Sequence, residues 1–264
     1  MKTILTLVLV ALITLGTKAQ EKESSLYLLF EFMHVDGTNT VDYWPVEEFW
    51  SGIHKQRAAD KSILGWDMWT LTPSGTQQGS QYFTVTLFSS LENMMNAITG
   101  MDVMAYAKKA YPKMSEKELI AMFDKTGKSR TFANQVLLKQ VDKTKDDFTM
   151  KVGTMATLDI MKQLDDSYEK AESEIFKPWH QEMVTKGKKG SWQLLRTILP
   201  AGSEAYGTHI TVSMYTDAAQ LSSFMEGMGG GAPMDMRTSL AVKEGLKTRD
   251  WREVKVAKLQ MMVR

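Results

Sequence analysis

The chain contains no cysteine in 264 residues. Disulfides, thiolate metal centres and cysteine nucleophiles are therefore excluded, and stability must come from packed cores. Histidine is scarce, four residues in all, so few side chains change charge between pH 5 and 8. An excess of either charge is missing too, with 32 Lys and Arg against 31 Asp and Glu. That balance gives no electrostatic reason to hold nucleic acid or an anionic membrane, and neither partner is expected. The phosphate loop G-x-x-x-x-G-K-[ST], the zinc helix H-E-x-x-H and the nucleophile turn G-x-S-x-G do not occur.

Long apolar runs are lacking except near the start. Lys2, the run Ile4 to Leu15 and the small-x-small triplet Thr17-Lys18-Ala19 before Gln20 read as a secretory signal over residues 1–19. The run is short for a bilayer span, which leaves an N-terminal anchor as the lesser alternative. A secreted or periplasmic, soluble protein is expected. Loss of Lys2 and Lys18 would take the formal charge from +1 to −1. Residues 20–264 are enough for two cores of ordinary domain size.

What is present is a repeat. Val46 to Pro73 reads V-E-E-F-W-S-G-I-H-K-Q-R-A-A-D-K-S-I-L-G-W-D-M-W-T-L-T-P, and Glu172 to Leu199 is a second version 126 residues on. Glu48 meets Glu174, Trp50 meets Phe176, Ile53 meets Trp179, His54 meets His180 and Trp66 meets Trp192. A long self-similarity at one offset signals duplication.

Leu26 to Val35 reads as a first strand. A helix capped by Asp42 follows, with Val46, Phe49, Trp50, Ile53 and Arg57 on one face. In the second version Ile175, Phe176, Trp179 and Met183 take that stripe. Pro178 predicts a kink just ahead of His180, and Gly52 permits a bend in the first version. Strands over Ile63–Thr72 and Gln81–Ser89 match Ser191–Leu199 and His209–Thr216. In the later strands Phe83, Val85 and Leu87, like Ile210, Val212 and Met214, form an apolar face suited to covering helices. The opposite face suits a second sheet or a pocket. Helices start near Leu91 and Ala218, another spans Ser115 to Phe123, and strands over Asn134–Val141 and Val254–Val263 close the two versions. Asp142 to Asp147 is the charged linker. The predicted units cover residues 20–143 and 144–264.

Each unit is thus a β-α-β-β-α-β, ferredoxin-like arrangement. The fold class expected is α+β, with two tandem units whose antiparallel sheets pack face to face. On this element order and repeat, the chain resembles the dimeric α+β-barrel superfamily, which includes antibiotic-biosynthesis-monooxygenase-like and NIPSNAP-like proteins. Here both halves would lie on one chain, so a monomer is expected. The resemblance implies a ligand cavity between helices and sheet, near the two histidines.

His54 and His180 are the candidate catalytic residues, since an imidazole can serve as a base near neutral pH. The plainer reading is a structural histidine packed on Trp66 or Trp192. Trp50, His54, Trp66, Phe176, His180 and Trp192 are the candidate ligand-binding set, with the tryptophans as core residues the alternative. Arg130 and Arg249, before the last strand of each unit, read as helix-end or turn partners. Met94, Met95, Met101 and Met104, and Met225, Met228, Met234 and Met236, are clustered; adaptable packing explains them better than Cu(I). No cofactor and no metal are expected. The activity expected is binding of a small apolar or aromatic molecule. A cofactor-independent monooxygenase or isomerase using a helix histidine, with haem binding as a sub-case, is one alternative. A structural module with filled cavities is the other.

Overall fold

The computed structural model describes residues 25–75, 77–227 and 234–264. The predicted signal over residues 1–19 lies outside the described residues, as does Met228 of the second methionine cluster.

Strand β1 (Tyr27–His34) is followed by α1 (Tyr43–Ala59), β2 (Gly65–Thr72), β3 (Tyr82–Phe88), α2 (Leu91–Gly100), α3 (Val103–Ala110), α4 (Glu116–Lys128) and β4 (Phe132–Lys143). Next come β5 (Met155–Gln163) and a helix in three parts: α5 (Tyr168–Ala171), a π-helical turn (Glu172–Phe176) and α6 (Lys177–Thr185). The chain ends with β6 (Ser191–Leu199), β7 (His209–Tyr215), α7 (Ala218–Gly227), α8 (Met236–Leu246) and β8 (Arg249–Val263). The eight strands close into an antiparallel barrel in the order β1-β3-β2-β8-β5-β7-β6-β4. Within the ring, β4-β1-β3-β2 and β8-β5-β7-β6 follow one pattern of pairing, and the seams are β2–β8 and β4–β6. Closure leaves these strands no free edge, so every ladder is satisfied within the chain.

Local chemistry sets the ends of the helices. The Asp42 carboxylate accepts from Trp44 N, and Ser115 with Glu118 forms a capping box at α4. Gly52 does not bend α1, which runs unbroken past it. Its missing side chain lets Tyr111 approach; a Cβ there would stand 2.2 Å from the Tyr111 hydroxyl, which donates to Phe49 O at 2.9 Å. Pro178 acts as predicted in kind but not in place. The irregular turn is Glu172–Phe176, where the Glu174 carbonyl loses the N–H that a non-proline residue would give it.

The two faces of β3 and β7 sort opposite to the expectation for covering helices. Phe83, Val85, Ile210 and Val212 point into the barrel, packing with Leu28, Phe30, Trp69, Leu158, Leu195 and Leu259. The cluster around these side chains is apolar, and the backbone groups there are spent on the ladders, which leaves a hydroxyl little to bond. The threonine-bearing face lies under the helices, where Thr84 donates to Glu31 and Thr211 to Asp159. Each large side chain buried in these cores contributes about 1.5–3 kcal/mol. The helix side of the first half is completed by Met33, Tyr43, Ile63, Trp66, Met68, Phe88 and Met94.

Candidate functional site

A cavity of about 450 Å³ lies between the helices and the sheet of the first half. Trp50, Trp66 and Phe88 give it aromatic walls, and Ile98 and Met101 add aliphatic ones. Its polar groups include Glu31, Glu47, His54, Arg57, Arg130 and Gln135, with Thr84, Thr86 and Thr126 adding hydroxyls. Strand alternation places Glu31, Thr84 and Thr86 there, and the i, i+3, i+4 rows of α1 bring Glu47, Trp50, His54 and Arg57 to the same side.

His54 is buried and stacks on Trp66 with ring centroids 4.9 Å apart; Trp50 lies 5.9 Å away on its other flank. Arg57 Nη1 is 3.1 Å from His54 Nδ1. A guanidinium only donates, so Nδ1 accepts and the imidazole proton sits on Nε2. Burial first, and Arg57 second, hold the His54 pKa well below its ordinary value. His54 is thereby a hydrogen-bond donor through Nε2 and is poorly suited to the role of base expected for it.

Glu47 fits that role better. It is 2% exposed, and burial pushes its carboxyl up to about 7 despite Arg130. Arg130 Nη2 stands 3.3 Å from Oε1, close enough for attraction but not aligned as a hydrogen bond, and the Tyr43 hydroxyl alongside is also without a partner. Glu31 takes Gln135 Nε2 at 2.8 Å and the Thr84 hydroxyl at 3.3 Å.

In the second half, His180 stacks on Trp192 at 4.8 Å and meets Trp179 edge-on at 4.9 Å. Phe176 is turned toward Arg249, whose guanidinium lies 4.2 Å from its ring centroid. The cation at His180 Nδ1 is Lys189, 2.9 Å away and also donating to Ser213 Oγ at 2.9 Å. Burial drives the Lys189 pKa down to about 7 and that of His180 down to about 2, the latter with help from Lys189. The structure therefore groups Trp50, His54 and Trp66 at one cavity, and His180 with Trp192 elsewhere. Trp179 leaves the predicted apolar stripe and is 44% exposed.

Sequence reasoning missed a second set of matched residues. Tyr43, Glu47 and Arg130 correspond to Tyr168, Glu172 and Arg249, where Arg249 again pairs with the glutamate and the tyrosine hydroxyl is again unpartnered. The arginines are thus ion-pair partners of buried helix carboxylates. The signal was a Tyr-x-x-x-Glu spacing displaced by one: Glu47 and Glu172 are 125 apart, His54 and His180 126. The π-helical turn holds the extra residue. Glu48 and Glu174, which the simple offset aligned, are exposed.

Neither a family model nor a curated protein matches the chain. Solved structures do. A candidate monooxygenase from Lactobacillus acidophilus NCFM superposes with a TM-score of 0.56 at 11% identity, covering 91% of this chain and 96% of its own. An anthrone oxidase-like protein gives 0.51 at 12%, covering 91% and 93%. A heme-binding protein from Thermus thermophilus gives 0.46 at 10%, covering 89% and 91%. The likeness is one of fold.

It accords with the α+β-barrel resemblance and corrects one expectation. The absence of a cofactor no longer follows, because a haem-binding protein is among the chains of similar structure. His54 does not fit as an axial haem ligand, however. Ligation through Nε2 needs that atom unprotonated, with Nδ1–H given to an acceptor. Arg57 supplies a donor instead. Among the described residues, no group of three or more His, Asp or Glu could hold a metal ion, and no helix is long and apolar enough to cross a membrane.

Proposed function

We propose that the helix-side cavity of the first half binds a small aromatic molecule carrying a phenolic or carbonyl oxygen. The observation behind this reading is the pairing of aromatic walls, Trp50 and Trp66, with a fixed donor, His54 Nε2–H, in a space of about 450 Å³. Pockets of this kind are apolar with a few placed polar groups that orient the ligand. Phe176, His180 and Trp192 belong to the corresponding region of the second half. We read the halves as tandem ferredoxin-like units, residues 20–143 and 144–264, in an exported, monomeric chain. The repeated strand pairing and the matched Tyr–Glu–Arg sets support the tandem part of that reading.

The test is a thermal-shift and calorimetric titration with 1-naphthol and 4-hydroxyacetophenone. Binding to the native state raises apparent stability. Ala133→Trp, at an exposed residue of the cavity lining, should reduce the effect. No shift in the unmodified protein would sink the proposal.

A second reading, acid–base catalysis, is favoured by one observation: the Glu47 carboxyl, buried and held near 7 by desolvation. A group titrating near the working pH is suited to taking a proton from carbon next to a carbonyl. Glu47 would be the base, with His54 Nε2–H and Arg57 stabilising the enolate oxygen. Deuterium exchange into 2-tetralone, followed by NMR, should be accelerated by the protein and lost in Glu47→Gln; equal exchange in both would exclude it.

A further inference from the structure

The inside of the barrel carries a second cavity, of about 220 Å³, separated from the helix side by the sheet. Its walls come from both halves. Phe30, Trp69 and Phe83 line it from the first, and Ala156, Leu158 and Val212 from the second. Interiors are close-packed, and voids much larger than a water molecule are few. This one has an identifiable origin. In the first half Leu28 stands opposite Leu138 on the interior face. At the equivalent register of the second half the pair is Ala156 opposite Ala257, each three carbons smaller. Large-to-small changes in a rigid core leave space, because the surroundings collapse only in part.

We infer that the barrel interior is a binding site for a neutral aromatic molecule of one or two rings, distinct from the helix-side cavity. Size sets the upper limit: an apolar cavity of about 150 Å³ is enough for benzene, and this one is larger. The aromatic class follows from the wall, where Trp69 and Phe83 are stacked at 5.8 Å and Phe30 and Phe83 lie at 5.5 Å. Neutrality follows from the rim. Arg264 is already engaged by both oxygens of Asp67, at 2.8 and 3.0 Å, and Gln140 donates to Gln193 at 2.7 Å. Lys143 and Asp146, the other charged residues of the lining, are exposed to water, so a charged ligand would find no free buried partner to offset its desolvation.

Naphthalene is the probe, since it lacks the oxygen that the helix-side proposal requires. At about ten times its dissociation constant it should raise the melting temperature by roughly 3–6 °C. Ala156→Leu, which restores the side chain found in the other half, should abolish that rise. Ala133→Trp, which obstructs only the helix-side cavity, should keep it. Should Ala156→Leu fail to fold, Ala156→Val should bind at least fivefold more weakly. The inference is overturned by no rise in the unmodified protein, by an unchanged response in the Ala156 variants, or by its loss in Ala133→Trp. 1-Naphthol binding reduced by Ala133→Trp, with no naphthalene response, would leave the helix-side reading standing and this one refuted.

Discussion

Glu47→Gln is the perturbation with the clearest arithmetic. The folded protein holds this carboxyl near 7 against an ordinary value of 4.5, because desolvation outweighs the attraction of Arg130. The folded state therefore binds the proton more tightly than the unfolded chain does. Its contribution to stability is complete below about 4.5 and is lost as pH rises through about 7, amounting to about 3 kcal/mol. Glutamine cannot ionise, so the variant keeps at pH 8.5 what the unmodified protein forfeits. Urea unfolding at pH 5, 6, 7 and 8.5 reads the difference directly. The two proteins should be close at pH 5, and the variant should be more stable by up to ~3 kcal/mol at pH 8.5. Asp67, also raised by burial to about 6, has the same sign but is common to both proteins and cancels. Parallel pH profiles would refute the reasoning, because they would mean that Glu47 is ionised in the fold without cost.

Lys189 predicts the opposite slope. Burial lowers its pKa from 10.5 to about 7, so stability should rise between those values by roughly 4–5 kcal/mol, and Lys189→Met should flatten that rise in the same urea series. Gly190→Ala should destabilise by about 1–3 kcal/mol, since its Cβ would meet the Phe148 ring at 2.3 Å. Adding Phe148→Ala should recover part of that loss in a double-mutant cycle, and full additivity would contradict the contact.

Much of the architecture was legible because strand periodicity and helix capping are local properties of the chain. Ser191–Leu199 is a strand with the bounds read from its sequence, and the helices after Leu91 and Ala218 begin where expected. The facing of β3 was misread: alternation reports two faces but not which lies against helices. That choice depends on Glu31 and Asp159, which accept from Thr84 and Thr211 across neighbouring strands. The site was half legible. The spacing from histidine to tryptophan recurs at His54–Trp66 and His180–Trp192, whereas Glu47 and Glu172 fall one residue out of that register, at the π-helical turn Glu172–Phe176. Arg57 was visible only as a member of an apolar stripe. Its effect on the histidine tautomer needs the 3.1 Å contact that folding creates.

The most direct measurement is a crystal structure of the protein soaked with 1-naphthol. The account predicts density in the helix-side cavity, against the Trp50–His54–Trp66 wall, with the naphthol oxygen within hydrogen-bond distance of His54 Nε2. Density confined to other surfaces, with that cavity filled by the protein's own side chains, would contradict it.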